Sequence, residues 1–140
     1  GSASTLSVKI KGASETVTVT AAAPASTQAF DVLTQAIQYF TSNAANNWIL
    51  NIRGSDSVTI NNLLAIGESL TLAVITTQGS SAYYNSAVQI DGTGTGVTMR
   101  WVGGAPTAGL ASGLDVYEYT LIKTANGTYT VLASRTQFKS

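Results

Sequence analysis

The stretch 114–138, LDVYEYTLIKTANGTYTVLASRTQF, constrains the fold more than any other part of the chain. Two runs rich in β-branched and aromatic residues flank Asn126-Gly127. That dipeptide is the strongest short-range hairpin pattern, because a type I′ turn needs positive φ at both central residues. A two-residue turn sets Ile122 opposite Val131, Leu121 opposite Leu132, Thr120 opposite Ala133 and Glu118 opposite Arg135. The last pairing places opposite charges across from one another, as a ladder prefers. One face then carries Tyr117, Tyr119, Leu121, Leu132 and Phe138, enough for a core. The other carries Val116, Thr120, Ile122, Val131 and Ala133, interrupted by the Glu118–Arg135 pair and Gln137. A solvated antiparallel face reads polar. This one does not, so a second sheet, a loop or another copy of the chain is expected over part of it.

The rest of the chain alternates in the same way. Leu6, Val8 and Ile10 face away from Ser7, Lys9 and Lys11, and after Gly12 the segment 15–20 returns with Val17 and Val19 inward, a hairpin pattern. Residues 21–27 read as a linker. Segment 30–40 fits either a helical stripe or a strand over 36–41; the strand is preferred, because a polar loop at 42–47 leads into the alternation of Trp48, Leu50 and Ile52. A turn at 54–57, an extended piece at 58–60 and one helical turn at 61–64 precede an apolar central strand at 70–77. The chain turns at 78–82 and returns at 83–91. A loop at 92–96, a short strand around Val97, Met99 and Trp101, and a long loop at 102–113 complete it. Nine or ten short strands predict an all-β, antiparallel, jelly-roll-like sandwich. One domain over 3–140 is expected, with residues 1–2 an expression scar.

Composition narrows the chemistry. The chain has no cysteine and no histidine, which removes thiol and imidazole nucleophiles, bases and metal ligands. Seven basic and seven acidic residues balance, and charged residues are only 10% of the total. That leaves no basic stripe for nucleic acid and no polybasic patch for a membrane, and no apolar run is long enough for a spanning helix. Thr and Ser supply 35 of the 140 residues, so hydroxyls replace charge as the polar element. A neutral surface of this kind permits close association.

Asp91-Gly92-Thr93-Gly94-Thr95-Gly96 has the glycines of a phosphate loop, but a strand follows where a helix N-terminus is needed, and no lysine is placed for phosphate. It reads as a flexible hairpin loop, with a one-carboxylate calcium loop the lesser alternative. The seven carboxylates, Glu15, Asp31, Asp56, Glu68, Asp91, Asp115 and Glu118, fall mostly at strand ends and turns; turn chemistry explains them better than a glycosidase pair. No catalytic residue, cofactor or metal is expected. Asn126-Gly127-Thr128 matches a glycosylation acceptor, which the turn already explains. Among the aromatic residues, Tyr83, Tyr84 and Trp101 are the candidates for receptor or subunit contact, since adjacent tyrosines on a strand point to opposite faces.

Over residues 30–138 the chain resembles a recurring domain of tailed-phage virion proteins of the marine and cyanobacterial phage type, mainly tail-fibre and minor structural proteins. The segments that carry the likeness, in order, are FDVLTQAIQYFT, NWILNIRG, LLAIGESLTLAVITTQGSSAYYNSAVQIDG, WVGGAPTAG, DVYEYTLIKT and YTVLASRTQF. Trp101-Val102-Gly103-Gly104-Ala105-Pro106 is similar to the family's Trp-x-Gly-Gly…Ala-Pro element, one residue short. The resemblance implies a β-rich, oligomeric, non-enzymatic virion part and carries over no binding residue. The expected role is a tail-fibre domain, a homotrimer among other virion proteins, located in the phage tail. It would display loops 42–47, 78–82, 92–96 and 103–113 to a host-surface glycan. The alternatives are a capsid-surface or neck decoration protein and a carbohydrate-binding module.

Overall fold

The alternating segments form nine strands and one helical turn in the computed structural model, which describes residues 7–140. They are β1 (Val17–Thr20), β2 (Thr27–Asp31), β3 (Ile37–Asn43), β4 (Trp48–Arg53), α1 (Ile60–Leu63), β5 (Ser69–Thr77), β6 (Asn85–Ile90), β7 (Val97–Trp101), β8 (Leu114–Ala125) and β9 (Thr128–Phe138). They build a six-stranded sheet, β1-β3-β5-β8-β9-β7, and a three-stranded sheet, β2-β4-β6.

The all-β, two-sheet architecture is as expected; the pairing is not that of an antiparallel jelly roll. Only β5–β8 and β8–β9 are antiparallel. The pairs β1–β3, β3–β5, β2–β4, β4–β6 and β7–β9 are parallel. From β1 to β7 consecutive strands alternate between the sheets, so each strand joins its own sheet running the same way as the one before it. A period of two reports which face is buried and says nothing about which strand lies alongside. The segment after β5 therefore crosses to the small sheet instead of returning beside β5. The expected N-terminal hairpin is also replaced. Its second arm is β1, paired with β3, while described residues 7–16 form no strand and residues 5–6 lie outside the described residues. The expected linker at 21–27 runs into β2.

In the large sheet only β8 runs against the others. The connections consequently gather at two ends. Loops 21–26, 44–47, 78–84 and 102–113 share one end; loops 32–36, 54–68 and 91–96 share the other with the hairpin turn.

Asn126-Gly127 does reverse the chain, but not as a type I′ turn. Gly127 has φ 65°, and Asn126 is not left-handed. This matches the three-residue hairpin loop, a type I turn followed by a glycine in the left-handed region. The extra residue shows as a register shift between Lys123 and Ala125. One residue of slip exchanges the faces of a strand. Leu121 accordingly pairs with Val131, Tyr119 with Ala133 and Tyr117 with Arg135, while Glu118 lies opposite Ser134. Val131 and Ala133 go to the core in place of Leu132 and Phe138, which are 48% and 52% exposed.

The core lies between the sheets. Trp48, Leu50 and Ile52 of β4 face Leu72 and Val74 of β5 and Tyr117, Tyr119 and Leu121 of β8, all buried. Trp48 meets the Tyr117 ring edge-on at 5.2 Å, and Tyr117 and Tyr119 stack at 6.3 Å. Their hydroxyls need partners in this apolar setting. Buried Asn85, the first residue of β6, supplies them. Its Oδ1 accepts from the Tyr119 hydroxyl at 3.0 Å, its backbone N–H donates to the Tyr117 hydroxyl at 3.3 Å, and its Nδ2 donates to the carbonyls of Trp48 and Ala87.

α1 closes the end opposite the long loops. Asp91 accepts from the backbone N–H groups of Ile60 and Asn61 at 2.7 and 3.1 Å, capping its start. Buried Lys123 donates to the carbonyls of Asn61 and Leu64 at 2.6 and 2.8 Å, satisfying its finish. Asn61 Oδ1 accepts from the Gly127 N–H at 2.8 Å, which ties α1 to the hairpin turn.

Two substitutions test these arguments. Asn85→Ala orphans the Tyr119 hydroxyl and should lower stability by about 2–4 kcal/mol, read as a lower denaturant midpoint at unchanged slope. Gly127→Ala meets no atom within 4 Å, so its expected cost of about 1–2 kcal/mol is purely that of the left-handed backbone.

Candidate functional site

The end bearing loops 44–47, 78–84 and 102–113 collects every aromatic residue singled out from the sequence. Gln78, buried just past β5, organises it. Its Nε2 donates to the Tyr83 carbonyl at 2.6 Å and to Asp115 Oδ2 at 3.0 Å, and its Oε1 accepts from the Tyr83 N–H. Asp115 Oδ2 also accepts from the Leu110 N–H at 3.1 Å. Backbone bonds from Gln78 to Gly113 and from Ser112 to Gly79 complete the join. Loops 78–84 and 102–113 thus behave as one tied unit, and the Tyr84 N–H bonds Asn47 Oδ1 of the neighbouring loop. Gly109 is required for this approach, since a Cβ there would collide with the Tyr83 carbonyl. Sequence reasoning missed Gln78 and Asp115. The visible trace was a glutamine just past one strand and an aspartate near the start of its partner, each beside a loop.

Tyr83 and Tyr84 lie in the loop before β6, half-buried, and Trp101 ends β7 at the same end of the sandwich. The Trp101 ring meets Tyr117 and Tyr119 edge-on at 6.2 and 5.9 Å, so one side of it belongs to the core. Its other side borders a cleft of about 600 Å³ between β6 and β7, lined also by Ala87, Val88, Met99, Ala105 and Pro106. Tyr83 and Tyr84 do not line this cleft. The three rings therefore share an end of the molecule without forming one stacking platform.

Four of the seven carboxylates are engaged structurally. Asp31 pairs with Arg53 at 2.5 Å, and this bond raises the arginine pKa. Glu68 accepts from the Ala65 N–H at 2.6 Å, Asp91 caps α1, and Asp115 holds the loops. Among the described residues no cluster of acidic side chains is placed to hold a metal ion. The glycine-rich loop 92–96 is not displayed beside the other loops. It packs on the hairpin turn at the opposite end, where Gly96 accepts from the Tyr129 N–H at 2.8 Å and a Cβ would strike the Gly127 carbonyl.

A second candidate surface is the outer face of the large sheet. Across the strands one row reads Val17, Ile37, Ala73, Glu118 and the next reads Val19, Tyr39, Ile75, Val116. Val17 and Val19 are 42% and 64% exposed. The outer face of the small sheet is more mixed, with Thr27, Asp31, Asn51, Arg53 and Gln89 beside Ala29, Ile49 and Ala87.

The chain matches no model of a known protein family, no curated protein and no solved structure. Its function is therefore argued from these surfaces.

Burial pushes the Tyr119 phenol well above its usual pKa, with Tyr117 adding to the shift. Burial likewise raises that of Tyr117, against the opposing effects of the Asn85 N–H and Arg135. A folded pKa above the unfolded value of about 10 gives stability that is fully present below pH 10 and lost as pH rises through the folded values. In an alkaline titration followed by phenolate absorbance and circular dichroism, Tyr119 should ionise only together with unfolding. Ionisation of all six tyrosines near pH 10 in a folded chain would contradict the buried assignment.

Proposed function

We propose that this is a non-enzymatic structural and adhesion domain of a tailed-phage virion, part of a tail fibre, which associates as a homotrimer and turns its tied loop end toward a host-surface glycan. The observation that carries the reading is the outer face of the six-stranded sheet. A solvated sheet face normally alternates to polar. The large sheet instead presents Val17, Val19, Ile37, Tyr39, Ile75 and Val116 side by side, the two valines exposed and the other four half-buried. Such a contiguous apolar patch marks an interaction surface. The low charge and zero net charge favour close contact between copies, and the segment likeness to virion proteins points the same way. Trimerisation would multiply weak glycan contacts at the loops into avidity.

A carbohydrate-binding module acting as a monomer is the second reading, favoured by the Trp101-lined cleft. Light scattering separates the two: the fibre domain should have three times the chain mass, and Ile75→Lys should return it to a folded monomer. A wild-type monomer that binds immobilised glycans, and loses them on Trp101→Phe, would favour the module. An oligomer that binds neither glycans nor host cells would leave scaffolding, as in a capsid-surface or neck component.

A further inference from the structure

The two sheets are unequal, and the cleft lies where the small sheet stops. Beyond β6 the small sheet has no further strand, while the large sheet continues toward β9 and β7. The outer edge of β6, with sequence NSAVQI, has no charge and no proline, the usual protections of an exposed edge, and is bridged only at its last residue, Ile90, by Thr93, which leaves 85–89 open. Beside that edge Met99 and Trp101 are only partly buried, over the 600 Å³ cleft.

The chain also carries an unused strand pattern. Residues 7–11 alternate Ser, Val, Lys, Ile, Lys, yet they form no strand, and Val8 and Ile10 are 60% and 70% exposed. An added strand needs apolar side chains toward the cleft and polar ones toward water, and Val8 and Ile10 with Lys9 and Lys11 provide that. Reach decides whose arm enters. With 7–11 laid along β6, the link from Lys11 to Val17 is six residue steps and spans at most about 20 Å. Crossing the large sheet from β1 to β7 takes about 24 Å, and the gap between sheets about 10 Å. A chain's own arm thus has no length left to lie along β6.

We propose that residues 7–11 of one copy add as a strand to the free edge of β6 in a second copy, seating Val8 and Ile10 over Met99 and Trp101. This deepens the self-association in the reading above and rests on it, through a different surface from the outer sheet face. The contact is head-to-tail, so it closes into a ring when its rotation allows.

Amide hydrogen exchange of the full chain, measured over roughly a hundredfold range of concentration, tests it. Exchange at residues 7–11 should slow by about tenfold or more as concentration rises. Acrylamide quenching should fall in parallel, because Trp48 is buried and Trp101 is the accessible indole. The doubly substituted Val8→Asp/Ile10→Asp chain should lose both effects while its strands stay protected. Protection of the arm that does not vary with concentration would mean docking within one chain and would overturn the proposal. So would an arm that exchanges freely in a proven oligomer, an outcome that leaves the outer-face reading standing. Arm protection without shielding of Trp101 would place the arm at another edge and overturn the assignment to β6. A wild-type chain that stays monomeric throughout would remove both.

Discussion

The hydrogen bonds of Asn85 hold the two sheets in register with one another. Two tyrosines stacked inside an apolar core are favourable only if their hydroxyls are satisfied, and the small sheet supplies a partner to each. Asn85 stands on the first residue of β6, at a register irregularity between β4 and β6, and serves both hydroxyls together with the carbonyl of Trp48. That polar bridge fixes where β8 lies over β4 and β6. From it follow the edge-on packing of Trp48 and Trp101 on the tyrosines and the position of the loops that continue from both strands. Non-directional burial alone would allow the sheets to slide; these bonds do not.

A second device works at the other end. One extra residue in the hairpin turn decides which side of β9 is core. The dipeptide Asn126-Gly127 reads as a two-residue turn, and the opposed charges of Glu118 and Arg135 supported that register for a separate reason. Both arguments yield to packing. Val131 and Ala133 fit beneath Leu121 and Tyr119, and the Asn61 side chain accepts from the Gly127 N–H, a contact from a residue far away in sequence. Local turn chemistry cannot see a tertiary partner. It foresaw that a hairpin forms here and missed its phase.

Much else was legible. The alternation of Trp48, Leu50 and Ile52, the central strand β5, the helical turn near Asn61, and the core roles of Tyr117, Tyr119 and Leu121 all follow from period and residue type. The parallel coiling between two sheets did not, because hydrophobic period is blind to the neighbour. β2 was hidden for a related reason: only Phe30 of TQAFD is fully buried, and a single large side chain makes no pattern. At the loop end the aromatic residues drew attention because they are large. The Gln78–Asp115 tie that positions them involves residues 37 apart, and neither is conspicuous alone.

The direction of the strands bears on how such a body carries load. β1 begins at the end where α1 sits, and β9 finishes at the end where the long loops gather. Tension between Val17 and Phe138 would therefore run along the strands and at right angles to the ladder bonds. Bonds pulled that way yield in shear, many together, where a peeled hairpin would give them up one by one. The seven ladders become a rope rather than a zip fastener.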